Sequence, residues 1–274
     1  MRDFGASLKE VGGNEGQKCK YTKRMDTYGC GCAHDCSYCY AKSLLEFRGL
    51  WDPAHPSVAN ISAISAQVRK LKRGEVIRLG GMTDCFQPIE RLHRVTYKAI
   101  KLLNKRGIEY LIVTKSAMIG EYVDILDPQL AHIQITLTTF DDAYSATYEH
   151  ASPPSARLGA FRTLQERGYD VQLRISPYIP ENFASDALAM PSAKLCVEFL
   201  RVNSWIEKWF NIDYSEYTVK QGGYRHLPLE RKIEYLKRIR ADQLTVCEDE
   251  DNAYRYWTEH VNHNKDDCCN LRRR

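Results

Sequence analysis

No apolar run in this sequence approaches the ~20 residues that a helix needs to cross a bilayer, so a membrane span is not expected. The N-terminal stretch Met1-Arg2-Asp3-Phe4-Gly5 lacks the apolar core of a secretory signal. Internal repeats and low-complexity linkers are also missing, which argues against a solenoid or a disordered connector. Neither sign of charge dominates: 39 Lys and Arg face 35 Asp and Glu, a net charge of +4 with pI near 8.4. That balance hints weakly at an anionic partner and is not a nucleic-acid signature by itself. A hydrophobic content of 43% against 27% charged residues excludes a disordered chain. At 274 residues the chain suits one barrel-type α/β domain or two small domains. Cysteine, by contrast, is plentiful, with ten residues. Without an export signal, and with several of them clustered, metal binding in a cytoplasmic protein is the expectation rather than disulfides.

The densest cluster is Cys32, Cys36 and Cys39, a C-x-x-x-C-x-x-C array with Tyr38 before the last cysteine. Three thiolates hold three irons of a four-iron cluster and leave the fourth iron open. A zinc loop is the alternative, but zinc sites usually draw on two pairs of ligands, and His34 lies inside the loop.

Apolar, β-branched runs alternate with helical patterns. Strands are expected at Arg24–Gly29, Val76–Gly80, Glu109–Lys115, His132–Thr138, Asp170–Tyr178, Lys194–Leu200 and Gln243–Cys247. Leu92, Val95, Ala99, Ile100 and Leu103 mark one helix, Leu158, Phe161 and Leu164 another, and Ser37–Phe47 a third. Repeated βα units imply parallel strands: an α/β fold, a partial or near-complete (β/α) barrel of six to seven units. Residues 1–200 read as its core and residues 201–274 as an extension that completes or caps it. Working residues then sit at the C-terminal ends of the strands.

The array with an aromatic before its last cysteine resembles the radical S-adenosylmethionine (SAM) superfamily. Gly-Cys-x-His-x-Cys-x-Tyr-Cys-Tyr-Ala, from Gly31 to Ala41, is similar to the branch that contains spore photoproduct lyase. The resemblance covers about residues 20–200 and weakens beyond. It implies a [4Fe-4S] cluster on Cys32, Cys36 and Cys39, whose open iron chelates the amino and carboxylate groups of SAM. An electron from a flavodoxin or ferredoxin then cleaves SAM to methionine and a 5′-deoxyadenosyl radical, which takes a hydrogen atom from the substrate.

The same resemblance assigns further roles. Tyr38 packs beside the SAM adenine. Gly80 and Gly81, where a strand end lets backbone approach a ligand, bind the ammonium. Thr83 and Asp84, with Gln87-Pro88-x-Glu90, resemble the branch's own loop, although Asp84 also reads as a turn cap and Glu90 as a helix start. Lys115 ends a strand and pairs with the SAM carboxylate, and Thr136 and Thr138 bond that carboxylate or the ribose. Glu149, Pro153-Pro154 and Arg157 match the branch as well. Arg174 offers a forked donor to a carboxylate or phosphate, or pairs with Glu198 inside the barrel. Tyr40 and Cys85 are the candidates for hydrogen transfer. The lyase's donor cysteine aligns with Gly81, so photolesion repair is not implied.

Cys247, Cys268 and Cys269, with Cys196 and Cys19, read either as ligands of a second iron–sulfur cluster or as buried cysteines and a structural tail. Lys220–Arg240 is rich in basic residues with Tyr224 and Tyr235. It suits a nucleic-acid backbone, or an amphipathic helix with Leu229, Ile233, Leu236 and Ile239 as its apolar face. The tail Arg272-Arg273-Arg274 reads as a solvated end. The substrate reads as a nucleic acid or nucleotide. A peptide or protein side chain is the alternative if an auxiliary cluster is present, and a non-catalytic iron–sulfur or zinc protein is the third reading.

Overall fold

The computed structural model describes residues 3–4, 8–183, 188–189, 193–265 and 267–272. Seven parallel strands lie where the apolar alternation puts them. They are β1 (Lys23–Met25), β2 (Val76–Leu79), β3 (Glu109–Thr114), β4 (Ala131–Leu137), β5 (Asp170–Tyr178), β6 (Lys194–Phe199) and β7 (Gln243–Val246). They follow one another in chain order across one sheet, and an antiparallel strand, Leu8–Glu10, pairs with the outer side of β1. Among the described residues no ladder joins β7 back to that edge, so the sheet is an open partial barrel. No helix among the described residues is long and apolar enough to cross a membrane.

The period of two along each strand decides what its faces do. Ile77 and Leu79, Tyr110 and Ile112, Ile133 and Ile135, and Leu173 and Ile175 are buried in one continuous core. The alternate positions, among them Arg24, Arg78, Val113, Thr136, Arg174, Ser176 and Glu198, line a cavity. Covering the apolar side are α1 (Tyr40–Phe47), α2 (Ile61–Val68), α3 (Val95–Arg106) and α4 (Pro154–Glu166). Helix α3 buries Val95, Ala99, Ile100 and Leu103, one face at helical spacing, and stops where Gly107 takes φ +63°. Leu92 falls outside it, contrary to expectation: Arg94, at φ +52°, breaks the helix from the short turn Glu90–His93 and leaves Leu92 exposed. Helix α1 begins at Tyr40 rather than Ser37, because Ser37 donates its N–H to the Tyr148 carbonyl (2.9 Å) and Cys39 serves as the cap.

The open seam between β1 and β7 is bridged by side chains. Asn14 and Lys18, in a short helix before β1, donate to the carbonyl of Asp249, just after β7, at 2.7 and 2.6 Å. Tyr21 donates to Asp267 at 2.5 Å. The C-terminal segment lies against Tyr21, Val76 and Leu111 and adds Cys269 and Leu271 to that small apolar group. Arg272 is exposed, as expected of a solvated end, and is also tied down: its N–H bonds Asp170 (2.8 Å) and its guanidinium the Gly168 carbonyl (3.0 Å). Arg273 and Arg274 lie outside the described residues.

Lys220–Arg240 is not one helix. A hairpin (Val219–Gln221 with Tyr224–His226) precedes α5 (Leu229–Leu236). Three of its seven cations are matched within the chain: Arg225 pairs with Glu207, Arg231 with Glu216 and Glu234, and Lys232 is fully buried against Glu248. Leu229 and Ile233 pack on the core, and Leu236 and Ile239 are buried in it, so the amphipathic reading fits the helical part. Helix α6 (Asp251–His260) closes the fold by burying Ala253 and Trp257.

Asp267 accepts from Tyr21 and from the N–H groups of Cys269 and Asn270 at 3.1 Å. Asp267→Ala orphans these buried donors and should lower stability by about 2 kcal/mol, read as a shift of the urea midpoint at constant slope.

Candidate active site

The cysteine loop is held by its backbone before any ligand is considered. Gly31 sits at φ +152°, and a Cβ there would fall 2.0 Å from the carbonyl oxygen of Asp52. Two tight turns follow, with N–H of Asp35 on the Cys32 carbonyl (3.0 Å) and N–H of Cys39 on the Cys36 carbonyl (3.1 Å). All three cysteines line one cavity of about 190 Å³ at the C-terminal ends of the strands. Among the described residues, the one trio of metal-binding side chains gathered within 4.8 Å is His226, Glu248 and Asp249. The three array sulfurs are therefore spread more widely than the ~3.8 Å separation that tetrahedral zinc, with 2.3 Å bonds, imposes. A cubane cluster, which holds each thiolate on its own iron, fits that spread. His34 lines the same cavity, but its Nδ1 lies 3.4 Å from Asp84, and its carbonyl accepts from the N–H of His150 (2.7 Å). Burial, with the Asp84 charge adding, pushes the Cys32 thiol up to about 12; a bound cation reverses that preference by stabilising thiolate.

Three neighbouring segments pin the loop. Gln87 accepts from the N–H of Ala33 at 2.9 Å. Thr83 donates to the Tyr28 carbonyl at 2.7 Å. Asp84 accepts from Thr114 Oγ1 (2.8 Å), the N–H of Phe86 (2.8 Å) and the N–H of Lys115 (2.7 Å). Burial raises the Asp84 carboxyl, but the His34 charge and these donors outweigh it and hold it at about 2. The aspartate expected to touch SAM is thus occupied in joining the β2 and β3 loops to the array. Glu90 is likewise enclosed, accepting from Tyr28, Tyr122 and the N–H groups of Thr96 and Tyr97.

Glu149 and Arg157 form a fully buried ion pair. Glu149 also takes the hydroxyls of Tyr38, Ser145 and Thr138, and Arg157 donates to the carbonyls of Ser152 (2.5 Å) and Thr136 (3.1 Å). Burial raises the Glu149 carboxyl, and Arg157 and Lys115 more than offset it, leaving it below the usual carboxylate range. The Glu149, Pro153-Pro154 and Arg157 pattern is therefore a brace: Pro153 and Pro154 start α4 so that Arg157 reaches Glu149 under the array.

The remaining expected site residues divide into two groups. Tyr40, Gly80, Gly81, Thr83, Asp84, Lys115, Thr136 and Arg174 line the cavity; Tyr38, Cys85 and Thr138 do not. The Tyr38 ring packs against Tyr148 and Phe210, each at 5.8 Å, with the Lys115 ammonium 5.5 Å from its centre. Thr138 lies behind it, bonded to Tyr148 at 3.0 Å. Cys85 is sealed in the core with Phe86, which places its thiol away from the cavity expected to need it. Gly80 requires its φ of +81°, and the N–H groups of Gly81 and Met82 are both taken by Asp26, at 2.6 and 2.9 Å. Tyr40 reaches the Gly81 carbonyl (3.5 Å) and lies under the Arg201 guanidinium (4.2 Å). Arg174 makes the interior pair with Glu198 (2.6 Å) and also donates to Gln134 (3.0 Å).

Two arginines were missed in the sequence. Arg24 and Arg78 are register partners on β1 and β2 and both line the cavity. Arg24 bonds Glu15 at 2.6 Å; Arg78 makes no ion pair of its own among the described residues but feels the same carboxylate, and the Nε atoms of both are buried without an acceptor. Strand alternation marks each as inward-facing, but only the register puts them side by side.

Residues 27–188 match the Radical SAM superfamily. The chain belongs to that superfamily. The family implies SAM, a [4Fe-4S] cluster and a source of electrons. A 155-residue stretch is 27% identical to an uncharacterized protein, MJ0683, of Methanocaldococcus jannaschii, covering 55% of this chain and 58% of that relative. The fold is similar to spore photoproduct lyase complexed with dinucleoside spore photoproduct, at TM-score 0.62 and 16% identity, over 87% of this chain and 80% of that one. A mutant of the same lyase with bound AdoMet and dinucleoside spore photoproduct superposes equally, at TM-score 0.62 over 88% of this chain and 81% of that one.

Glu149→Gln leaves Arg157 charged, buried and unpaired, and should cost about 3–5 kcal/mol in chemical denaturation, with looser iron retention in the reconstituted protein. Asp84 supplies an acid-dependent increment. Its folded carboxyl is lowered from 3.8 to about 2, so about 2 kcal/mol is present above pH ~4 and lost as pH falls towards 2. In cluster-free protein, the stability gap between wild type and Asp84→Asn should narrow between pH 5 and pH 2.5.

Proposed function

We propose that this chain abstracts a hydrogen atom from a phosphate-bearing substrate, a nucleotide or nucleic acid segment, held in the cavity beneath the cysteine loop. The observation that carries the substrate class is the adjacent pair Arg24 and Arg78, which share one carboxylate, Glu15, and keep both Nε atoms unbonded. Two guanidinium groups side by side repel each other, a single Glu15 carboxylate near both leaves one positive charge over, and two Nε donors lack acceptors, which together favour an added oxyanion. The lyase of similar fold holds a dinucleoside, which supports the same class.

Cys32, Cys36 and Cys39 would hold the [4Fe-4S] cluster. Bound there with SAM and one electron, it supplies the 5′-deoxyadenosyl radical. The chain's own groups do the rest. Lys115, whose charge is also felt by the buried Glu149, places a cation at the cavity for the SAM carboxylate. The carbonyl of Gly80 is offered to an ammonium, and that of Gly81, which accepts from the Tyr40 hydroxyl at 3.5 Å, keeps a second lone pair for one. Thr136 offers a hydroxyl from the β4 wall. Tyr40, between the array and Arg201, is the phenol best placed to exchange a hydrogen atom with substrate. The apolar core and the Tyr38–Tyr148–Phe210 aromatic group exclude water from behind the array.

Anaerobic reconstitution with iron and sulfide, then dithionite and SAM, should yield 5′-deoxyadenosine and methionine in a chromatographic assay; neither product from cluster-loaded protein overturns the radical reading. Arg78→Ala should weaken binding of a thymidine dinucleotide monophosphate about tenfold and reduce its salt dependence. Equal affinity of variant and wild type overturns the phosphate reading alone.

A further inference from the structure

Five cysteines outside the array meet at the seam of the open barrel. Cys196 lies on β6, register-paired with Arg174 on one side and Thr245 on the other. Cys247 follows β7, its N–H on the Val197 carbonyl at 2.8 Å. The tail carries Cys268 and Cys269 back to them, fixed by Thr245 Oγ1 on the Cys268 carbonyl (2.6 Å) and by Asp267. Cys247 and Cys268 line one cavity, and Cys19, Cys268 and Cys269 belong to one packed group. Cys19, from the segment before β1, lies near Cys247 and Cys269. None of these cysteines is in a disulfide.

We propose that Cys196, Cys247, Cys268 and Cys269 ligate a second iron–sulfur cluster, set where the first and last strands fail to pair. Chain segments far apart in sequence converge on one point with soft ligands, and thiols are poor hydrogen-bonding partners for one another in a polar lumen. No three of these sulfurs lie within 4.8 Å of one another. That spread is wider than the tetrahedral shell of a single zinc and suits ligands carried on separate irons. Arg174 stands beside them with Nη1 3.4 Å from the Cys196 sulfur, a cation against the negative charge that four thiolates bring. Cys247 and Cys268 face the same cavity as the array. The trio His226, Glu248 and Asp249 makes a poorer site, since Lys232 and Arg201 already hold its carboxylates at 2.5 Å. The proposal is independent of the substrate reading.

The test uses full-length protein reconstituted anaerobically. With Cys32, Cys36 and Cys39 all replaced by Ala, about four irons and four sulfides per chain should remain, with a thiolate-to-iron absorption band. With the array intact, Cys247→Ser/Cys268→Ser should lower bound iron about twofold. Zinc in place of iron, no metal in the triple variant with native far-UV circular dichroism, or a mapped disulfide among these cysteines overturns the proposal. If the triple variant does not fold, the double variant decides, and unchanged iron overturns it.

Discussion

The buried pair of Glu149 and Arg157 is the constraint on which the site depends. A carboxylate and a guanidinium without access to water are tolerable only when each is fully bonded. Here Arg157 reaches a carbonyl of β4 and Glu149 gathers the hydroxyl of Tyr38 from the cysteine loop. The start of α4, the end of β4 and the array thus share one set of hydrogen bonds, and displacing any of them strands a charge. The array is short and carries two non-glycine residues at positive φ around it, Cys30 and Asp35. Such a loop does not hold its shape alone; Glu149 from one side and Asp84 with Gln87 from the other hold it for the metal.

The same logic explains why the barrel needs no final ladder. Backbone pairing stops at β7, yet Lys18, Asn14, Tyr21 and Asp267 join the two edges. A side-chain seam lets the inner face stay polar, because the lumen is closed by groups that are themselves hydrogen-bonded. Thiols gathered at that seam occupy the place where further strands would complete a barrel.

Much of this was legible in the sequence because two periodic signals were strong. All seven parallel strands appear within a few residues of their expected bounds, since β-branched runs between helical patterns leave little ambiguity. The array and Lys115 were legible for a related reason: the type of residue and its position at a strand end together restrict what it can do. What failed was direction within a loop. Cys85 and Tyr38 sit in the expected segments, but which way a side chain turns depends on partners such as Phe86, Tyr148 and Phe210 that arrive from elsewhere. Leu92 failed because one left-handed residue, Arg94, split a pattern that was otherwise continuous. The Arg24–Arg78 pair was invisible because register between strands is a tertiary quantity. The basic segment kept two readings open because composition counts local acids such as Glu216 and Glu248 but does not place them.

The alternation along the strands has an evolutionary consequence. Residues such as Ile77, Ile133 and Leu173 bear the packing, while Arg78, Gln134 and Gln172 on the other face bear little of it. Replacing a lumen residue alters what the chamber recognises and leaves the helix-facing core undisturbed. The two requirements are written on alternate letters of the same strands, so a lineage can exchange its substrate without renegotiating its fold.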